Sequence, residues 1–230
     1  MKRHWVAALA TAAMLAASQA SAALLINEID SDSVNTPATD AFEFVELFDT
    51  SGTSVPLDGY TLVYYNGNGN VVYRAMDLDG FSTSATGYFL AGSIAGAQLA
   101  VPANTLQNGA DAVALYLGDA TSFPNGTALT TANLIDAGVY KTGADTDGNG
   151  LLPLLLAGGI VDEFGRDGTS TSGAADSIGR FPNGSGGLRD TTTWKFMTPT
   201  PGATNGVPEP TSLALFAAAG VSLVAVRRKR

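Results

Sequence analysis

The chain has 230 residues, a mass of 23.4 kDa and a formal net charge of −9. It has no cysteine, and its one histidine is His4 in the N-terminal segment. Disulfides, cysteine nucleophiles, histidine triads and zinc sites of the His/Cys type are therefore excluded from the rest of the chain, which leaves carboxylates and oxygen ligands.

The first 22 residues predict a secretory signal peptide. Lys2 and Arg3 precede an apolar run of thirteen residues, which is followed by small residues at 20–22. Signal peptidase recognises this pattern, and the run is short for a membrane span, which needs about 20 residues. We expect export with cleavage between Ala22 and Ala23; the alternative is an uncleaved N-terminal anchor.

The body of the chain, residues 23–206, predicts many short strands joined by turns. The chain has 27 glycines and 10 prolines, and the body lacks long stretches of helical periodicity. Strand-like segments occur at 23–29, 42–48, 60–65, 71–75, 87–91, 111–117 and 134–140. Strands at this spacing without amphipathic helices favour an all-β fold, an antiparallel sandwich or barrel.

Two of these segments permit a finer prediction. Both faces of 42–48 (FEFVELF) carry bulky side chains, so this strand is expected to be central in its sheet. Residues 60–65 and 71–75 flank the sequence NGNGN, whose residues tolerate positive φ. This pair therefore predicts a β-hairpin.

The body is strongly acidic. It has six basic residues against twenty acidic ones, a charge of −14. Nucleic acid is disfavoured as a partner, because so few cations are available to neutralise phosphates. The same excess of negative charge favours solubility and the attraction of divalent cations.

Residues 145–150 (DTDGNG) match the first half of an EF-hand loop, in which alternate side chains direct oxygen atoms at a hard cation. The twelfth position of such a loop needs a bidentate acid, but here it is Leu156. Two interpretations stay open. One is a Ca²⁺ site with Asp145, Asp147 and Asn149 as ligands; the other is an Asp/Gly-rich surface turn that needs no cofactor.

Glu28, Glu43 and Glu46 are the candidate carboxylates for acid/base chemistry. Such catalysis needs two carboxyl groups at a defined separation in a cleft. These three lie inside strand-like runs. We therefore assign no catalytic residue, and expect Glu28 and Glu46 to bond loop backbone or to pair with an arginine such as Arg180.

Two further patterns have a binding and a structural interpretation. A carbohydrate-binding face requires several outward-pointing aromatic rings, and the candidates are Tyr60, Tyr64, Tyr65, Tyr73 and Tyr88. We favour packing of these rings in the sandwich, because their segments are rich in strand-forming residues. The glycosylation sequons at Asn125 and Asn183 are interpreted as turns.

Seven short motifs follow one another along the body. They are LLINEID (24–30), EFVELFDTSG (43–52), VPLDGYTL (55–62), GYFLAG (87–92), NGADAVALYLGD (108–119), SIGRFPNGSG (177–186) and TPTPGATNG (198–206). Their order and spacing resemble those of the lamin tail domain family. The resemblance implies an immunoglobulin-like antiparallel β-sandwich, in bacteria on a secreted or surface protein. The segment around 120–176 exceeds what a compact sandwich needs and is interpreted as a long insertion.

The C-terminal segment, 207–230, has three parts. A Pro-Glu-Pro motif precedes an apolar stretch at 213–226, and basic residues follow: Pro208, Glu209, Pro210, then Arg227, Arg228, Lys229 and Arg230. This order resembles the PEP-CTERM sorting signal of Gram-negative bacteria. The resemblance implies a short transmembrane helix that anchors the protein transiently in the inner membrane, with its basic tail in the cytoplasm. It also implies a membrane-embedded exosortase that cuts near the motif. The alternative is a tail anchor that is never cut.

Together these features predict a non-enzymatic protein of the cell surface or extracellular matrix, with an adhesive or polymer-associating role. Signal peptidase and exosortase are the partners expected during export, and extracellular polysaccharide or surface proteins are those expected afterwards. One alternative is an accessory module acting in trans with secreted nucleases or phosphoesterases, which lamin tail domains often accompany. The other is a calcium-dependent carboxylate enzyme, for which the sequence locates no acidic cleft.

Overall fold

The computed structural model describes residues 22–31, 42–141, 150–156 and 177–206. The strands in these ranges are β1 (Leu24–Asp30), β2 (Phe44–Asp49), β3 (Tyr60–Asn66), β4 (Val71–Asp77), β5 (Tyr88–Gly92), β6 (Leu99–Ala100), β7 (Asp111–Leu117), β8 (Leu134–Tyr140), β9 (Ser177–Arg180) and β10 (Trp194–Met197). One short helix, α1 (Leu151–Leu155), and a 3₁₀ turn (Ala120–Ser122) complete the set. Each predicted strand segment is confirmed with nearly the same bounds, whereas β6, β9 and β10 were not predicted.

The strands form two sheets. One has six strands in the order β10-β9-β1-β2-β5-β6, and the other has four in the order β4-β3-β7-β8. Neighbouring strands are antiparallel except for β5 and β6, which are parallel. The all-β, antiparallel-rich prediction is confirmed. So are the central position of β2, between β1 and β5, and the β3–β4 hairpin.

An apolar core joins the inner faces of the two sheets. Ile26, Val45 and Phe89 from the six-stranded sheet pack with Leu62 and Leu115 from the four-stranded sheet, and all five are fully buried. Each such side chain contributes about 1.5–3 kcal/mol on burial. Because side chains alternate along a strand, the residues between these apolar ones point to the outer faces.

The outer face of the four-stranded sheet is covered by α1. Tyr65, Ala114 and Val139 on that face belong to a second apolar cluster with Leu151 and Leu155 of the helix. Helix α1 and strand β8 both come from the segment 120–176. The described part of that segment therefore supplies the edge strand of one sheet and the cover for its outer face.

The outer face of the six-stranded sheet carries residues 198–206, which follow β10 and which we call the strap. The strap contacts three strands in turn. Thr200 bonds Glu28 on β1, the Gly202 N–H donates to Glu46 on β2, and Thr204 lies by Tyr88 on β5. The polar residues that the alternation places on this face are thus covered by the chain itself.

Several predicted features lie outside the described residues. They are the signal peptide up to residue 21, the loop residues Asp145, Asp147 and Asn149, and the sorting signal 207–230 with its apolar helix. No helix within the described ranges is both long enough and apolar enough to span a bilayer. Strand β1 begins one residue after Ala23, whose N–H donates to Thr50 Oγ1 at 2.9 Å.

Candidate functional site

Strands β1 and β2 place two glutamates opposite each other on the outer face of the six-stranded sheet. The register of the pair shifts between Ile26 and Glu28, so Glu28 faces Glu46 across the strands. Such a bulge inserts one residue and re-aims the side chains that follow. As a result Ile26 and Ile29 both reach the core, while Asn27 and Glu28 share the outer face with Glu46.

Glu28 is fully buried and is bonded by the strap and by β9. Its Oε1 accepts from the hydroxyl of Ser177 and from the N–H of Thr200 at 2.9 Å. Its Oε2 lies 2.8 Å from the hydroxyl of Thr200. The carboxyl group therefore ties the entry of the strap to the sheet.

Glu46 is also fully buried and is bonded by two N–H donors. Asn27 Nδ2 lies 2.7 Å from its Oε1, and the Gly202 N–H lies 2.7 Å from its Oε2. Gly202 has a φ of +74°, a conformation that glycine adopts without strain and that turns its N–H toward the carboxyl group. Glu46 therefore holds the turn of the strap.

Two buried asparagines complete the site. Asn205, near the end of the strap, donates through Nδ2 to the carbonyls of Asn27 and Arg180 at 3.1 and 2.9 Å. Asn27 accepts the Gly184 N–H at 3.0 Å, and its Nδ2 lies 2.9 Å from Asn183 Oδ1. The strap, β1 and the loop that follows β9 thus meet in one polar network.

Burial dominates the electrostatics of the two glutamates. Loss of solvent raises the pKa of Glu46 to about 8, an effect opposed by the hydrogen bonds from Asn27 and Gly202 and reinforced by the nearby Glu28. Burial likewise raises the pKa of Glu28, against the hydrogen bonds of Ser177 and Thr200. These carboxyl groups are fully buried and engaged by the chain's own donors, which disfavours the catalytic interpretation.

The prediction that Glu28 and Glu46 bond loop backbone is confirmed, but the suggested pairing with Arg180 is wrong. Arg180 pairs with Asp136 on β8, where the Nη2–Oδ2 distance is 2.9 Å and both side chains are fully buried. The reason is strand alternation. Gly179 lies beside Glu28 on the outer face, so the next side chain along β9, that of Arg180, points to the inner layer.

The third candidate carboxylate, Glu43, is separate from this pair. Its Oε2 accepts the N–H groups of Thr105 and Leu106 at 2.8 and 3.1 Å. Its side chain therefore organises the loop between β6 and β7, another bond to loop backbone.

The five tyrosines do not form a carbohydrate-binding face. Tyr64, Tyr65 and Tyr88 are buried, and only Tyr60 and Tyr73 are half-buried. The packing interpretation is confirmed, because none of the five rings is exposed to solvent. The sequons at Asn125 and Asn183 lie in turns, as predicted.

Sequence reasoning missed a symmetric pair of turns. The tetrapeptides LDGY (57–60) and LDGF (78–81) bond each other reciprocally. Asp58 Oδ1 accepts the Gly80 N–H at 2.8 Å, and Asp79 Oδ1 accepts the Gly59 N–H at 2.6 Å. The sequence signal for this reciprocal bonding, which we call the clamp, is the internal repeat of L-D-G followed by an aromatic residue.

No group of three or more acidic, histidine or cysteine side chains within the described ranges is placed to hold a metal ion. The proposed Ca²⁺ ligands at 145, 147 and 149 lie outside those ranges.

Comparison with known families gives one finding. A family model described as Lamin Tail Domain matches residues 17–195. Searches of curated proteins and of solved structures gave no match. The matched range includes both sheets except the end of β10, and it ends before the strap begins.

Proposed function

Since the chain belongs to the lamin tail domain family, we propose that it is a non-enzymatic exported module that associates with extracellular polysaccharide or with surface proteins. The domain of this family is an immunoglobulin-like fold that typically serves as a binding module. The two antiparallel-rich sheets agree with that fold.

One observation carries the non-enzymatic part of the proposal. Glu28 and Glu46 are the best candidates for acid/base chemistry in the described residues. Both carboxyl groups form hydrogen bonds within the domain. Glu28 bonds Ser177 and Thr200, and Glu46 bonds Asn27 and Gly202. A substrate would have to displace the strap to reach either group, so the pair supports the fold.

Export and sorting are proposed from the two ends of the sequence. Residues 1–22 direct secretion, and the segment 207–230 anchors the protein in the inner membrane until an exosortase cuts near Pro208-Glu209-Pro210. The body, with its charge of −14, is then released to the cell surface or extracellular matrix. Calcium at Asp145, Asp147 and Asn149 is proposed as an accessory ion in that location.

Cell fractionation with intact-mass measurement tests this proposal. The decisive variant replaces Pro208, Glu209 and Pro210 by alanine, and its matched control replaces Thr211 and Ser212, just beyond the motif. We expect the wild type and the control to reach the cell surface without either end, and the triple variant to stay in the membrane with its tail. A wild-type mass that retained the tail, or equal processing of all three proteins, would contradict sorting at this motif.

Ligand class is tested separately on the exported protein. Binding to purified extracellular polysaccharide is measured beside binding to DNA and to surface proteins of the same cell. We expect binding to the polysaccharide or to the surface proteins and none to DNA, because the acidic body repels phosphates. Stoichiometric association with a secreted nuclease or phosphoesterase would instead identify an accessory module acting in trans.

A further inference from the structure

One threonine hydroxyl in the strap has a single hydrogen but faces two acceptor oxygens. Thr200 Oγ1 lies 2.8 Å from Glu28 Oε2 and 3.1 Å from Asn205 Oδ1. The Asn205 amide cannot be turned round, because its Nδ2 donates to the carbonyls of Asn27 and Arg180. Its Oδ1 must therefore face Thr200, and one hydroxyl hydrogen is shared between two oxygens.

Asn27 cannot supply the missing hydrogen. Its Nδ2 has two hydrogens, but three oxygens surround it. They are Glu46 Oε1 at 2.7 Å, Asn183 Oδ1 at 2.9 Å and Asn205 Oδ1 at 3.2 Å. The two shorter contacts use both hydrogens, so Asn205 Oδ1 depends on the hydroxyl of Thr200.

A proton on Glu28 completes the network. A neutral Glu28 donates Oε2–H to Thr200 Oγ1, and the Thr200 hydrogen then points to Asn205 Oδ1. We infer that the strap is a proton-operated latch, docked while Glu28 is a neutral carboxylic acid and released from the sheet when Glu28 passes that proton to solvent. The release breaks one O–H bond and the hydrogen bond from Glu28 to Thr200, and it forms a carboxylate that water then solvates.

The second glutamate differs in a way that fits this assignment. Both oxygens of Glu46 face N–H donors, Asn27 Nδ2 and the Gly202 N–H, so Glu46 accepts without needing a proton. Glu28 also accepts the Thr200 N–H on Oε1, but its Oε2 faces the hydroxyl of Thr200, which accepts as well as donates. The proton of the pair therefore resides on Glu28.

The surroundings leave the pair of glutamates as the titrating unit. Glu46 lies directly opposite on β2, and an ionised Glu28 would place two like charges side by side in a buried layer. From β9, Arg180 points to the other side of the sheet, where its charge is matched by Asp136. The strap has no titratable side chain; Tyr88 on β5 bonds Thr204, and Lys195 on β10 lies two strands from Glu28 with its Nζ over the ring of Phe181.

Burial supports the same direction, because it raises the pKa of both glutamates. Undocking of residues 198–206 would return both carboxyl groups to water. The equilibrium constant for undocking is then expected to rise by up to about tenfold per pH unit for each proton released.

The proton is observed directly by following glutamate carboxyl carbons with ¹³C NMR on the full chain. The chain has five glutamates, so the spectrum is simple, and Glu28→Gln and Glu46→Gln assign the two signals. We expect the Glu28 carboxyl to be protonated at neutral pH and to titrate at alkaline pH. An ionised Glu28 at neutral pH with the strap docked would overturn the proposal without any variant.

Docking is read from a nitroxide attached at Ala203→Cys, an exposed strap position in a chain that has no cysteine of its own. In the wild type the label is expected to change from immobilised to mobile as pH rises, in step with the Glu28 signal. Glu28→Gln keeps a donor toward Thr200 and should hold the strap at every pH. Glu46→Gln turns a donor toward Asn27 or Gly202 and should loosen it at every pH. Equal pH dependence in the wild type and Glu28→Gln would refute the latch.

Discussion

Asp136 on β8 and Arg180 on β9 form a fully buried ion pair that joins the two sheets, with Arg180 Nη2 2.9 Å from Asp136 Oδ2. The other nitrogens of Arg180 are bonded as well: Nε donates to the Ile26 carbonyl at 2.7 Å, and Nη1 donates to the carbonyls of Ser185 and Gly187 at 2.9 and 3.0 Å. Asp136 in turn accepts the Ile26 N–H at 2.8 Å and the Arg189 N–H at 2.5 Å. The pair therefore fixes β1, β8 and β9 to one another.

Asp136→Asn is expected to destabilise the fold severely. The variant keeps the size of the side chain but leaves the buried guanidinium of Arg180 without a counter-charge, a change that costs about 3–5 kcal/mol. The free energy of unfolding from urea titration measures the loss. The control is Asp119→Asn, which alters an exposed cap of the 3₁₀ turn and should leave the free energy of unfolding nearly unchanged, because asparagine caps as well as aspartate. Equal losses in the two variants would contradict a central role for the ion pair.

Asn205→Ala is expected to detach the strap. The variant removes two donors to buried carbonyls, those of Asn27 and Arg180, and leaves both acceptors unsatisfied at about 1–3 kcal/mol. Hydrogen exchange at the Gly202 amide should accelerate more than exchange in the core strands. Thr198→Ala, at an exposed strap position, is the matched control. Unchanged protection of Gly202 in Asn205→Ala would show that the strap is held by other contacts.

The strands could be predicted from the sequence because their signals are local. The bulky side chains on both faces of 42–48, and the NGNGN turn between β3 and β4, depend only on neighbours along the chain. Strand β9 escaped prediction because its sequence, SIGR, has one large apolar residue. Its place in the sheet comes from pairing with β1 and β10.

The site could be predicted only in part, because its contacts are distant in sequence. Glu28 and Thr200 are 172 residues apart, and nothing near either residue indicates the other. The bulge at Asn27 also changes which side chains reach the outer face. The glutamates were therefore identified as structural, while their partners, and the true partner of Arg180, required the fold.

The clamp between the two L-D-G turns predicts coupled energies. Asp58→Ala and Asp79→Ala each remove one hydrogen bond, so each should cost about 0.5–1.5 kcal/mol. Because both bonds hold the same two turns together, the double variant should lose less than the sum of the single losses. Urea titration of the four proteins gives the coupling. Asp58→Asn keeps the acceptor and should lose little, whereas strictly additive losses would mean that the turns act independently.

Calcium is expected to raise the melting temperature of the wild type through the loop at 145–150. The proposed ligands Asp145, Asp147 and Asn149 form half of an EF-hand pattern, for which extracellular modules bind calcium at millimolar concentration. A ligand that binds only the folded state stabilises it. Asp145→Asn with Asp147→Asn should abolish the shift, while Asp162→Asn, beyond the loop, should retain it. A wild-type melt that is the same in calcium and in chelator removes this site.

Stability is expected to fall as pH rises from about 5 to about 9. Burial raises the pKa of Glu28 and, to about 8, that of Glu46, so this coupled pair holds a proton in the native state that the unfolded chain releases across this window. Their stabilising contribution is complete below pH 4.5, the ordinary value, and is lost as pH passes the folded pKa. Asp119 and Asp190 have lowered pKa values from hydrogen bonds with Thr121 and Thr192, which affects stability only at more acidic pH.

Urea titration at pH 5, 7 and 9 measures this slope, and Glu28→Gln separates its source. The variant cannot titrate at position 28, so its free energy of unfolding should change less with pH than that of the wild type, whatever its absolute stability. General repulsion among the ionised carboxylates of the acidic body would persist in both proteins. A wild-type slope of zero, or identical slopes in the two proteins, would therefore mean that the buried carboxyl of Glu28 does not change its protonation on unfolding.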